Sequence, residues 1–234
     1  MGNDATDAAE LIMCSDRKQA ASPGSAQRQR LAPAEREQQI VEGAVRFFAE
    51  VGFGGQTREL AQRLGITQPL LYRYFPTKQD LIERVYEAVF IGRWNPDWRA
   101  MIEDRSRPLR ERLIDFYHAY TNDVLTYDWM RLYMFAGLAG EDINRRYIAM
   151  LETELLRPIC AELRAEVGAP TPDAVAITSL EQEAAWQIHA AVFYYGVRKH
   201  IYRSGVEPDV GAFITDAVDR TLDGALAVTR RLSK

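Results

Sequence analysis

The stretch Thr57–Lys78, TRELAQRLGITQPLLYRYFPTK, decides how this chain reads. It holds two short segments of helical periodicity, about Thr57–Leu64 and Gln68–Phe75, joined across Gly65-Ile66-Thr67. Leu60, Leu64, Ile66 and Leu71 supply a small core, and Ala61 is small where two helices must cross closely. Gly65 suits a turn that needs positive φ. Thr67 can cap the second helix through its hydroxyl. Gln68 and Pro69 then occupy the first turn, where proline's missing N–H had no helical partner. Pro76 ends that helix, and Thr77 can cap the next. This is the pattern of a helix-turn-helix, whose second helix presents its N-terminal residues to base edges in the major groove.

Charge supports the same reading once it is sorted by position. The whole chain of 234 residues has a net charge of -4 and a pI near 5.5, which argues against a general coater of nucleic acid. Between Arg58 and Lys78, however, four basic residues (Arg58, Arg63, Arg73, Lys78) face one acid, Glu59, a local +3 that leaves -7 for the rest. Tyr72 and Tyr74 interleave with Arg73 and add hydroxyl donors for phosphate. A helical corner serving only as core would need Ala61 and Gly65 but none of these donors.

On the N-terminal side, Pro33 opens a helix with Glu35 and Glu37 at its positive end. Ile40, Val41, Ala44, Val45, Phe47, Phe48 and Val51 recur at helical spacing, and Gly52 offers a left-handed stop. Residues 1–31 are rich in Ala, Ser, Gln, Asp and Arg and poor in large apolar groups, so they read as a flexible tail. Arg28 and Arg30, nearest the folded part, are within reach of nucleic acid in that reading. On the C-terminal side, a fourth helix runs from Lys78 to about Ile91. Further helices are predicted near 108–126, 129–139, 143–166, 173–203 and 209–231. No strand alternation and no internal repeat occurs. The expected fold is all-α, about nine helices. It comprises a tail (1–31), an N-terminal three-helix HTH domain within 32–91, and a helical dimerisation and ligand domain (92–234).

From Ile40 to Tyr86, and most specifically over GITQPLLYRYFPTKQDL (Gly65–Leu81), the chain resembles the N-terminal domain of the tetracycline-repressor (TetR) family. The resemblance implies a homodimeric transcription regulator, usually a repressor, in which a small molecule bound in the C-terminal domain alters the spacing of two recognition helices. Carried over by position, Thr67, Gln68, Pro69 and Arg73 are the base-reading candidates. Tyr72, Tyr74 and Lys78 match positions that touch the DNA backbone, and Arg58 lies near phosphate. The loop before Arg58 is one residue shorter than usual in the family, so the family's capping hydroxyl aligns with Gln56 rather than Thr57, and either residue can serve there. Gln68 can bind adenine bidentately, and Pro69 offers only apolar contact, such as to a thymine methyl. Both favour A·T content in each half of a roughly palindromic double-stranded DNA operator.

The last two predicted helices have the pattern of an interface. Phe213, Ile214, Ala217, Val218, Leu222 and Leu226 form one stripe, and Ile177, Ala184, Ile188 and Ala191 form a face of the preceding helix. A four-helix bundle between two copies is expected. The middle helices are rich in aromatic and Met residues. Trp98, Tyr117, Tyr120, Trp129 and Tyr133, with Trp186, His189 and Phe193 opposite, are the expected lining of an effector pocket whose ligand is small and apolar or aromatic.

Other classes find little support. Cys14 and Cys160 make neither a zinc spacing nor a disulfide framework, which suits a reducing cytoplasm. His118, His189 and His200 are scattered, and no phosphate loop or nucleophile elbow occurs, so no enzyme activity, metal or cofactor is expected. No run approaches the ~20 apolar residues of a membrane span. Two alternatives remain: an HTH DNA binder controlled by a partner or acting architecturally, and a helical carrier or enzyme whose HTH-like corner is structural.

Overall fold

In the computed structural model, residues 32–232 are described, and the expectations for the tail at 1–31 lie outside them. Helix α1 (Pro33–Val51) begins at its proline and stops at Gly52, whose φ is +79°. Helices α2 (Thr57–Arg63) and α3 (Gln68–Tyr74) follow. Helix α4 (Lys78–Tyr86) is fixed at its start by a reciprocal capping box between Thr77 and Asp80, and it runs on through a π turn, Glu87–Ile91. Ile40, Ala44, Phe48, Leu60, Leu71 and Val85 are almost fully buried and hold these four helices together.

The remainder is also helical: α5 (Asp97–Glu103), α6 (Leu109–Asp123), α7 (Tyr127–Ala139), α8 (Ile143–Leu151), α9 (Arg157–Val167), α10 (Ser179–Gly196) and α11 (Val210–Leu232). A π turn, Glu152–Leu156, makes α8 and α9 one continuous rod, and a second, Val197–Tyr202, extends α10. No strand occurs among the described residues. The core is continuous from the first four helices into the body. Aromatic rings fill its centre. Trp98 stands edge-on to Phe116 (5.6 Å) and Tyr120 (5.8 Å), and Tyr120 shares a 2.9 Å hydrogen bond with Tyr147.

The all-α fold agrees with expectation, with three local differences. Helix α5 is additional. The Asn95-Pro96 pair interrupts the chain, but the Asn95 side chain accepts from the Asp97 N–H (2.9 Å) and a new helix starts there. The break near Asp128 falls earlier, because Thr126 caps α7 by accepting from the Trp129 N–H. Residues 173–178 are not helical. Arg164 donates to the carbonyls of Pro170, Val175 and Ala176, which holds that segment off the helix, and a Thr178–Glu181 capping box starts α10 at Ser179.

Candidate nucleic-acid interface

Helices α2 and α3 are joined by a Schellman turn. The N–H of Gly65 donates to Gln62 O (3.0 Å) and that of Ile66 to Ala61 O (3.0 Å), with Gly65 at φ +64°. A side chain at Gly65 would meet no neighbour, so its backbone conformation alone favours glycine. At Gly55 the reason is the opposite. An added Cβ would lie 2.5 Å from the Phe47 ring and 2.6 Å from Val51. Thr67 caps α3 by accepting from the Leu70 N–H (3.3 Å). Pro69 stands exposed in the first turn with Gln68 half-buried beside it.

Between Gln56 and Thr57 the structure distinguishes two roles. Gln56 occupies the N-cap position of α2 but makes no side-chain cap bond. The Thr57 hydroxyl is turned inward, sharing a 2.9 Å hydrogen bond with the Tyr72 hydroxyl and accepting from the Gln68 amide (3.3 Å). A polar link thus ties the start of α2 to α3 and fixes the ring of Tyr72, which remains 37% exposed and so keeps a face for the solvent side. Tyr74 is half-buried against the core.

The basic residues divide into two groups. Arg63 pairs with Glu50 and with Glu59 (2.8 Å), and its guanidinium lies 4.9 Å from the Phe47 ring centroid. Its charge is therefore engaged within the fold. Arg58, Arg73 and Lys78 form no ion pair among the described residues, and Arg58 and Arg73 are exposed. Arg58 lies in the first turn of α2, Arg73 in the last turn of α3 and Lys78 in the first turn of α4, so each helix of the motif and the one that follows it carries a cation suited to phosphate contact.

A cleft of about 150 Å³ lies in the body. It is lined by Trp129, Tyr133, Tyr147, Ile148, Leu151, Trp186, His189, Ala190 and Phe193. Trp129 and Tyr133 stack almost parallel (4.9 Å, 9°), and Phe193 meets the Tyr133 ring edge-on at 5.6 Å. Of the expected pocket residues, Trp129, Tyr133, Trp186, His189 and Phe193 line this cleft, whereas Trp98, Tyr117 and Tyr120 fill the core behind it. Tyr147, Ile148 and Leu151 were not legible as lining, because a regular apolar stripe on α8 reads as core. His189 is buried, and desolvation lowers its pKa to about 4, so the imidazole is neutral near pH 7. Among the described residues no cluster of His, Cys, Asp and Glu is placed to hold a metal ion.

The helices that line the cleft also grip the first four. Arg131 of α7 donates to the last carbonyls of α1, those of Ala49 and Glu50, and its guanidinium lies over the Phe135 ring (5.0 Å). Arg146 of α8 makes a bidentate pair with Glu83 of α4 (2.6 and 2.7 Å) and lies 3.9 Å over the Tyr86 ring. These two clamps had no sequence signal, since each joins residues more than sixty positions apart.

The residues expected at an interface between copies are placed as follows. Ala184, Ile188, Ile214, Ala217, Val218 and Leu222 are buried within the single chain, where α10 packs on α11. Ile177, Ala191, Phe213 and Leu226 are half-buried. The face that α10 leaves open carries Leu180, Glu183, Gln187, Ala190 and Tyr194.

The capped α2–α3 corner with cations that form no ion pair among the described residues has the form of a helix-turn-helix nucleic-acid interface. Residues 40–85 match the family model for bacterial regulatory proteins, tetR family, so over this N-terminal segment the chain is similar to that family. It is 33% identical over 85 residues to the class A tetracycline repressor from transposon 1721 of Escherichia coli, covering 33% of this chain and 39% of that protein. It is 36% identical over 63 residues to the HTH-type transcriptional regulator LuxR of Vibrio harveyi, covering 26% of this chain and 31% of that protein. The chain thus matches well under half the length of these curated relatives. In fold it is similar to a protein from Pseudomonas aeruginosa PAO1 (TM-score 0.64, 20% identity, covering 89% of this chain and 99% of that one). It is also similar to a tetR-family transcriptional regulator from Streptomyces coelicolor (TM-score 0.58, 19% identity, covering 86% and 90%). No helix among the described residues is long and apolar enough to cross a membrane.

Proposed function

We propose that the chain is a homodimeric transcriptional repressor that binds a two-half-site operator through α3 and releases it when a small molecule enters the cleft of the body. The observation that carries this reading is the division of the basic residues. Arg63 is engaged internally, while Arg58 on α2, Arg73 in the last turn of α3 and Lys78 at the start of α4 form no ion pair among the described residues, and the first turn of α3 is exposed at Pro69. In each half-site, Gln68 reads an adenine and Pro69 packs on a thymine methyl, with Thr67 and Arg73 adding contacts. Tyr72, Tyr74, Lys78 and Arg58 hold the phosphates. Two copies present their recognition helices about 34 Å apart, one turn of the duplex. The expected residence is the cytoplasm, where the operator lies.

The test is an electrophoretic shift on DNA from immediately upstream of the protein's own coding sequence. A discrete complex is expected, weakening steeply as salt rises, since each neutralised phosphate releases counterions. If binding survives Arg73→Ala combined with Lys78→Ala at unchanged salt slope, the assignment of the helix-turn-helix as the DNA-reading element is wrong.

A further inference from the structure

Resting on the ligand-responsive reading above, we propose that the cleft between α7, α8 and α10 takes an uncharged, single-ring aromatic molecule that carries a hydrogen-bond acceptor, such as an aryl ketone, an aromatic aldehyde or a phenol. Three independent features of the cleft set this class.

The first is size. A volume of about 150 Å³ is that of a cavity that holds a benzene-sized molecule. The second is the wall. The stacked Trp129–Tyr133 pair and the edge-on Phe193 present ring faces and edges, which favour a planar ring through offset and T-shaped contacts.

The third is the polar content. Trp129 Nε1 and His189 Nδ1 are both buried, both belong to lining side chains, and neither has a hydrogen-bond partner. The two residues are 1% and 3% exposed. A buried polar group left unpaired costs about 1–3 kcal/mol, so such groups ordinarily find partners. An indole N–H only donates, so its partner is an acceptor. A neutral imidazole nitrogen donates or accepts, and a carbonyl or a hydroxyl satisfies one or the other form. No charged side chain lines the cleft, so a carboxylate or an ammonium group would be buried there without a counter-ion.

The test uses the purified full chain and three probes of similar size: acetophenone, ethylbenzene and benzoate. Binding is read by isothermal titration calorimetry and by quenching of tryptophan fluorescence. Acetophenone is expected to bind about tenfold more tightly than ethylbenzene, the value of one satisfied hydrogen bond, and benzoate more weakly than either. Trp129→Phe keeps an aromatic ring but removes the N–H with the rest of the indole, so it should bring the ratio of acetophenone to ethylbenzene affinity close to one, whatever it does to the two affinities together. Ile148→Trp, in the half-buried α8 lining and away from the open face of α10, should block all three probes. Equal affinity for acetophenone and ethylbenzene in the parent chain overturns the proposal, as does tighter binding of benzoate or an Ile148→Trp variant that binds as before. The same probes are added to the DNA complex in parallel. Acetophenone that binds the cleft but leaves the complex intact supports the ligand class and overturns release. Release by benzoate with no acetophenone binding does the reverse.

Discussion

Arg63 and Arg73 sit on adjacent helices of one motif and look equivalent in sequence, yet their surroundings assign them different work. Arg63 is held by Glu50, Glu59 and the Phe47 ring, whereas Arg73 is exposed and unpaired. Arg73→Ala is therefore expected to weaken operator binding and to lower the slope of log K against log salt by about 1, without changing the thermal midpoint. Arg63→Ala is expected to leave the salt slope unchanged and to lower the thermal midpoint only slightly, because its pairs are half-exposed. Titrating binding from 50 to 200 mM salt separates the two, and equal slopes for both variants would contradict the division of charge. A second residue-scale expectation concerns Glu181. Its carboxylate accepts from Arg164 (2.6 and 2.8 Å) and from Thr178, and both members of the ion pair are 4% exposed. The Arg164 hydrogen bonds, opposed by burial, bring its pKa down from 4.5 to about 2. A carboxyl depressed by folding contributes its stability in full above pH 4.5 and loses it as pH falls through about 2. Glu181→Gln should destabilise the chain at pH 7 by about 3–5 kcal/mol, since it leaves a buried Arg164 without its counter-charge. The difference from the parent chain in urea unfolding should narrow between pH 4.5 and pH 2, and a constant difference would sink the linkage.

Individual helices were legible in sequence to the degree that their start and stop signals are local. Gly65, Thr67, Pro69 and Thr77 act on backbone groups within four residues, and each performs the turn or cap chemistry that its residue type suggests. The six residues before α10 misled the periodicity because the interactions that unwind them come from Arg164, on a different helix. The aromatic residues of α6 and α7 were identified as a set, but ring content does not distinguish a side chain that lines a cleft from one that fills the wall behind it. Only the packing places Tyr117 and Tyr120 behind His189, at ring distances of 6.1 and 5.3 Å. The clamp of α8 on α4 belongs wholly to this scale. Arg146 and Glu83 are about 40% exposed, so their pair adds only about 0–1 kcal/mol to stability. Its geometry matters more than its energy, because Tyr147 and Ile148, the next residues on α8, line the cleft. Arg146→Ala is expected to leave ligand affinity and the thermal midpoint nearly unchanged, and to raise by about tenfold the ligand concentration needed to release half the DNA, a coupling loss near 1.4 kcal/mol. A mobility-shift titration with acetophenone measures it, and an unchanged release midpoint would show that the first four helices are driven through the grip of Arg131 on α1 instead.

At the scale of the whole molecule, the acidic net charge and the basic reading head are compatible because the charges are segregated. The local +3 around α2 and α3, of which Arg63 is internally paired, is attached to a chain that is otherwise -7, and that remainder discourages the body from lying along DNA. In the proposed reading each copy contacts one half-site, so affinity for a palindrome would depend on a second copy. The sequence placed that contact on the last two helices by their apolar stripes, but most of those stripes join α10 to α11 inside one chain: Ile188, Ile214 and Val218 are at most 1% exposed. Periodicity reports that a face is buried and does not report by what. The residues that α10 leaves outward, Leu180, Glu183, Gln187, Ala190 and Tyr194, fall at alternating spacings of three and four, the seam of two packed helices. Leu180 and Tyr194 are 59% and 54% exposed, more than large apolar groups are usually left. The parent chain is expected to sediment at twice its 26.6 kDa mass. Tyr194→Glu should shift it to the monomer, since it replaces the largest exposed apolar side chain of that face with a charge, and Val218→Ala, inside the chain, should lower the unfolding midpoint without dissociating it. Operator affinity in the Tyr194→Glu variant should fall at least a hundredfold while binding to a single half-site is retained. A variant that remains a dimer would move the interface to α11, where Asp216, Arg220, Asp223 and Ala227 form the corresponding open face.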